Sequence, residues 1–156
     1  MRKKWLAALA ASAAMMMGSV YASVPNDELV IGGIGYGASA QYVESVYGKP
    51  SEMEVKPDQR FYNGQAYEYE YGDSLEIFFL DSQVRRIEID RHNGLKTKAG
   101  IEVGSTLADV KAKYGEPDKV RHDKYIYYSQ DRSDVGFVFE IENGLVKEIE
   151  MGYIFQ

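Results

Sequence analysis

The chain contains no cysteine, only two histidines, one tryptophan and four prolines in 156 residues. Without cysteine there can be no disulfide staple, no thiolate metal site and no cysteine nucleophile, so the fold must rest on its hydrophobic core. The two histidines, His92 and His122, fall in expected loops beside Asp90 and Asp123. They show no i, i+4 ligand spacing and read as solvent-facing loop side chains rather than a metal or general-base site. No basic stripe is present, and the net charge is −6. An acidic surface repels phosphate backbones and anionic lipid at long range, which argues against nucleic acid as a partner.

The first 22 residues are expected to be a leader. Arg2, Lys3 and Lys4 precede an apolar Ala- and Met-rich stretch from Trp5 to Gly18, and Val20-Tyr21-Ala22 offers small residues at the two positions a signal peptidase reads. The apolar stretch is too short to span a bilayer comfortably. Cleavage after Ala22 predicts a periplasmic or extracellular protein without a lipid anchor, and it removes three cations, taking the net charge from −6 to −9.

The rest of the chain states one pattern twice. Gly33-Ile34 through Tyr47-Gly48-Lys49-Pro50, and Gly100-Ile101 through Tyr114-Gly115-Glu116-Pro117, both read G-I-x-x-G-x-x-[AL]-x-x-V-x-x-x-Y-G-x-P. Ala40, Val43 and Tyr47, and likewise Leu107, Val110 and Tyr114, make a one-sided apolar stripe of helical spacing. Ser39 and Thr106 are placed as N-caps, and Thr106 with Asp109 forms a capping-box pattern. Gly48 and Gly115 can take positive φ at the helix end, while Pro50 and Pro117 block continuation. Gly37 and Gly104 occupy the turn before each helix.

Alternating segments follow each helix. Tyr67/Tyr69/Tyr71, Leu75/Ile77/Phe79 and Ile87/Ile89 alternate with charged residues in the first copy. Tyr125–Tyr128, Phe137/Phe139/Ile141 and Ile149/Met151, with an Asn143-Gly144 turn, do so in the second. The expected fold is α+β: two tandem units, each a helix plus an antiparallel three-stranded meander, with both helices on one face of the sheet. The divisions are 1–22 leader, 23–30 loose N-terminus, 31–90 first unit, 91–98 linker and 99–156 second unit.

This pattern resembles the SmpA/OmlA family of small outer-membrane assembly lipoproteins. It is also similar to the tandem β-lactamase inhibitory protein fold, in which two such units present a concave sheet to a partner protein. The resemblance covers nearly the whole chain after the leader and implies a non-catalytic binding module. The sequence departs from both families, lacking the lipobox cysteine of the first and the disulfides of the second.

Other motifs dissolve on inspection. The glycine run Gly32–Gly37 lacks the βαβ context of a nucleotide loop, Asp131 and Asp134 lack the ligand spacing of a calcium loop, and no nucleophile–base constellation marks an enzyme. No cofactor or metal is expected. The tyrosine row 67/69/71 reads as core, and Tyr62 belongs to the same aromatic group. More telling are the residues out of phase with the apolar face: Phe78, Val138 and one of the adjacent pair Tyr127 and Tyr128, which must face opposite ways; Tyr128 is the candidate named, and which of the two is exposed stays open. With Arg86, Glu88, Glu140 and Glu150 around them, they compose an aromatic anchor inside a charged rim. The expectation is a protein-binding face on the helix-free side of the sheet for an unidentified, basic partner. The competing explanation is that Tyr153-Ile154-Phe155 folds over this spot. Alternative functions are a small or lipidic ligand held in a groove, and, less favoured, an envelope hydrolase. An exposed strand edge leaves the oligomeric state open.

Overall fold

A computed structural model describes residues 23–56 and 65–154. The leader, Tyr62 and Phe155 lie outside the described residues. In chain order the elements are a 3-10 turn Asn26–Glu28, β1 Val30–Ile31, β2 Ile34–Gly35, α1 Ala40–Tyr47, β3 Glu52–Val55, β4 Ala66–Tyr71, β5 Leu75–Leu80, β6 Gln83–Ile89, α2 Leu107–Tyr114, β7 Lys119–Arg121, β8 Lys124–Tyr128, β9 Val135–Glu142 and β10 Leu145–Tyr153.

The expected pair of three-stranded meanders is not what forms. Each helix is followed by four strands, and all eight join one antiparallel sheet in the order β3-β4-β5-β6-β10-β9-β8-β7, with β1 and β2 forming a separate ribbon. The overlooked strands, β3 and β7, are only four and three residues long. They sit at the sheet edges, where one-sided pairing leaves little apolar periodicity to detect. Residues 23–30 are not loose either. Val24 accepts from Gln130 and donates to Tyr128, and both Val24 and Leu29 are buried.

The two sequence copies take matching local structure. Ser39 Oγ accepts from Tyr42 N, and Thr106 Oγ1 accepts from Asp109 N within a complete capping box. Gly48 and Gly115 close the helices at φ 78° and 77°, in the left-handed region where a side chain would be strained. Ahead of each helix the backbone clamps onto a hairpin: Gly37 N donates to Val84 O and Gly104 N to Val146 O, both at 2.8 Å. Tyrosines brace the far end of each helix, Tyr71 Oη donating to Gly48 O and Tyr127 Oη to Gly115 O, both at 3.0 Å.

A β-bulge also repeats. The register shifts between Phe78 and Phe79 opposite β6 and between Val146 and Glu148 in β10. The extra residue, Arg85 or Lys147, lets Val84 and Ile87, and likewise Val146 and Ile149, all point into the core although they are spaced by three. Strict alternation would have turned one of each pair outward.

The core lies between the helices and one sheet face. Tyr114 of α2 contacts the rings of Tyr127, Phe137 and Phe139, and Tyr69 under α1 donates to Glu44. Phe79 stacks on Tyr67 at 5.0 Å and is fully buried, whereas its neighbour Phe78 points to the other face and is half-buried. Phe79→Ala is therefore expected to cost about 3–5 kcal/mol of stability by leaving a core cavity. Phe78→Ala should cost only about 1 kcal/mol. Denaturant unfolding of the two variants tests the assignment of faces, which equal losses would contradict.

Candidate functional site: the helix-free sheet face

Register decides what the open face presents. Residues directly paired across an antiparallel sheet share a face, with Cβ atoms about 5 Å apart. One such row runs Glu52, Glu70, Glu76, Glu88, Glu150, Val138, Ile126, Lys119 across all eight strands. Five consecutive carboxylates thus stand side by side, followed by two apolar residues and a lysine. The adjacent row reads Glu54, Glu68, Phe78, Arg86, Gly152, Gly136, Tyr128.

The paired glycines mark a close approach of backbones. A Cβ on Gly136 would lie 2.0 Å from Tyr127 O, and one on Gly152, at φ 127°, would lie 2.0 Å from Arg85 O. Only glycine fits either position.

Like charges directly opposite one another destabilise a ladder, and interleaved cations offset part of this cost. Arg86 reaches Glu88 at 3.5 Å and Glu150 at 3.8 Å. Lys124 reaches Glu150 at 3.0 Å and Glu140 at 3.8 Å, and Lys147 reaches Glu140 at 2.9 Å. Lys56 holds the buried Glu68 at 3.0 Å. Glu148 fares worst. In the repeat it occupies the place of Arg86, so a carboxylate stands where the first copy has a cation. Burial, then Glu88, Glu150 and Glu140, push its carboxyl up to about 7, with Lys124 opposing. Burial also raises Glu88, against the pull of Arg86, and Glu76. Single oxygens of Glu88, Glu148 and Glu150 lie within 4.8 Å of one another.

Of the residues singled out from sequence, Arg86, Glu88, Glu140 and Glu150 form one connected charge network here, and Phe78 pairs directly with Arg86. The choice between Tyr127 and Tyr128, open in the sequence, falls to Tyr128, which is half-exposed while Tyr127 is fully buried against α2. Tyr128 nevertheless stands at the far side of the two glycines from Phe78. Val138 corrects the expectation of an exposed apolar residue. It is buried, and with Ile126, Ile154, Arg86, Arg121, Lys124 and Glu150 it lines a hollow of about 310 Å³. Ile154 thus does border this spot, as the covering explanation required. Sequence reading missed Glu148, Glu76, Glu68, Ile126 and Lys124. Aligning Arg86 with Glu148 between the two copies was the signal that could have flagged the first of these.

Elsewhere, His92 Nδ1 lies 3.1 Å from Val103 O with its side chain exposed, and His122 is in the β7–β8 turn at φ 55°. A second hollow, of about 370 Å³, is lined by residues including Val24, Ala99, Lys113 and Tyr114 at the end of α2. No helix among the described residues is long and apolar enough to cross a membrane.

No family model and no curated relative matches the chain, so the SmpA/OmlA resemblance gains no support there. Among solved structures, the chain is similar to an extracellular protein containing an SCP domain from Bacillus anthracis, with a TM-score of 0.54 and 11% identity. That match covers 75% of this chain and 44% of the other, so this chain spans less than half of its length. It establishes a shared fold and nothing further. A proposed β-lactamase inhibitor protein from Streptococcus mutans aligns at 17% identity over 85% of this chain and 92% of its own, with a TM-score of 0.36, which is too low to carry an argument.

The strained carboxylates make a pH prediction. Glu148 in the folded chain keeps its proton up to about pH 7, whereas unfolded it loses it near 4.5. Folding thus takes up a proton between these values, and stability falls as pH rises through that window. Glu148→Gln is expected to raise the melting temperature at pH 8 and leave it nearly unchanged at pH 4.5. An equal gain at both values would show that charge is not the cause.

Proposed function

We propose that this protein is an exported, non-catalytic binding module that engages a basic protein partner through the helix-free sheet face. The observation that carries the reading is the register-aligned row of five glutamates, Glu52 to Glu150, beside the half-buried Phe78 and Arg86. Such an array is unfavourable in the isolated chain and is relieved by an apposed cation-rich surface, so binding energy is available from the partner's charge as well as from the aromatic anchor. Long-range attraction would also speed encounter. Export rests on the leader pattern of residues 1–22, and mass analysis of the protein after export should find Ser23 as its first residue. A retained leader would refute that step.

The binding reading is tested by a crosslinking pull-down from the host's own envelope and secreted fractions. One protein should be enriched, its capture weakened by salt and lost with Phe78→Ala or with a double Glu76→Lys/Glu88→Lys exchange. Capture no greater than by a charge-matched control, or capture indifferent to these changes, would reject the face as the site.

A further inference from the structure

The two ends of the eight-stranded sheet are complementary to each other. Edge strand β3 reads Glu52-Met53-Glu54-Val55 and edge strand β7 reads Lys119-Val120-Arg121. By register, Glu52 and Glu54 lie on the helix-free face and Met53 and Val55 on the helix face. Lys119 and Arg121 lie on the helix-free face and Val120 on the helix face. Each edge therefore carries one sign of charge on the open side and exposed apolar residues on the other, Met53, Val55 and Val120 being 58%, 70% and 51% exposed.

We propose that β3 of one molecule pairs antiparallel with β7 of another, so that copies of this chain join head to tail into a continuous sheet. Three features of the fold meet in this arrangement. Eight alternating strands make β3 and β7 of one chain antiparallel, so a second copy added beside β3 continues the alternation with its helices on the same side. The register that sets Met53 against Val120 sets Glu52 against Arg121 and Glu54 against Lys119, aligning two opposite-charge pairs on one face and an apolar pair on the other. The backbone agrees as well. Lys56 N donates to Ala66 O, so Glu54 and Glu52 share its inward phase, and Met53 turns its amide and carbonyl toward the open edge.

Sliding the pairing by two residues, to Val55 against Val120, would place Lys56 opposite Lys119 and is disfavoured. Pairing an edge with itself would oppose glutamates at β3 or cations at β7. Within the chain Lys56 already contacts Glu54 at 2.7 Å, so the new pairs add to a partly satisfied edge and association is weak and concentration-dependent. The contact uses a different patch on each partner, and it propagates to rings or filaments rather than stopping at a dimer. This pairing shares only Glu52, at the end of the glutamate row, with the proposed face, and it would extend that face from molecule to molecule.

The absence of native cysteine makes the test direct. Met53→Cys and Val120→Cys variants, each exposed at the altered position, are mixed and mildly oxidised. The expected result is a disulfide-linked pair that forms in the mixture well above the level in either variant alone. Sedimentation should show association that Glu52→Lys/Glu54→Lys weakens by about tenfold. Mixing that variant with Lys119→Glu/Arg121→Glu should restore pairing. A monomer at every concentration, or crosslinks formed equally by Met53→Cys alone, would overturn the head-to-tail pairing. Neither result bears on whether the open face captures a partner.

Discussion

The pairing of β6 with β10 holds the molecule together as a single body. Each half supplies one helix and four strands, and a unit of that size buries only a marginal core by itself. The central ladder sets Ile149 against Ile89 and Met151 against Ile87, and all four side chains are buried on the helix face. That apolar seam merges two small cores into one. The same ladder sets Glu150 against Glu88 on the reverse face. Because side chains alternate along a strand, the register that joins the cores necessarily apposes these carboxylates.

The electrostatic character of the open face follows from this constraint. Arg86 and Lys124 flank the apposed pair and neutralise part of it, yet the second copy has Glu148 where the first has Arg86. Duplication supplied a symmetric scaffold, and this exchange of sign breaks the symmetry on the face that the helices leave open. Core positions kept their character between copies, as Val84 with Val146 and Ile87 with Ile149 show, because both face the same helix–sheet layer. Open-face positions were released from that requirement.

Much of the local structure was legible in the chain. The helices, their caps and their terminating glycines lie where the duplicated motif places them, since capping depends on residues within a few positions of each other. Six of the eight sheet strands were also visible as alternation. Strands β3 and β7 escaped because edge strands are short and exposed, so they carry no buried stripe. Both bulges escaped because they interrupt alternation at the points where Val84 and Val146 turn inward. For the site, the phase of Phe78 could be read directly, while the choice between Tyr127 and Tyr128 and the burial of Val138 could not, because α2 covers Tyr127 and Ile126 and Ile154 border Val138 only in the folded chain.

The sequence by itself determined the duplication, the helix boundaries, the two faces of six of the eight sheet strands outside the bulges, and the absence of any disulfide. These are properties of neighbouring residues, settled by backbone sterics and by the period of apolar side chains. The tertiary structure decided that the two units share one sheet through β6 and β10, that five glutamates from five strands align in a single row, and that opposite charges stand on opposite edges. Each of these depends on register between strands distant in the chain. Register is chosen when the cores close on one another, and no local pattern carries that information.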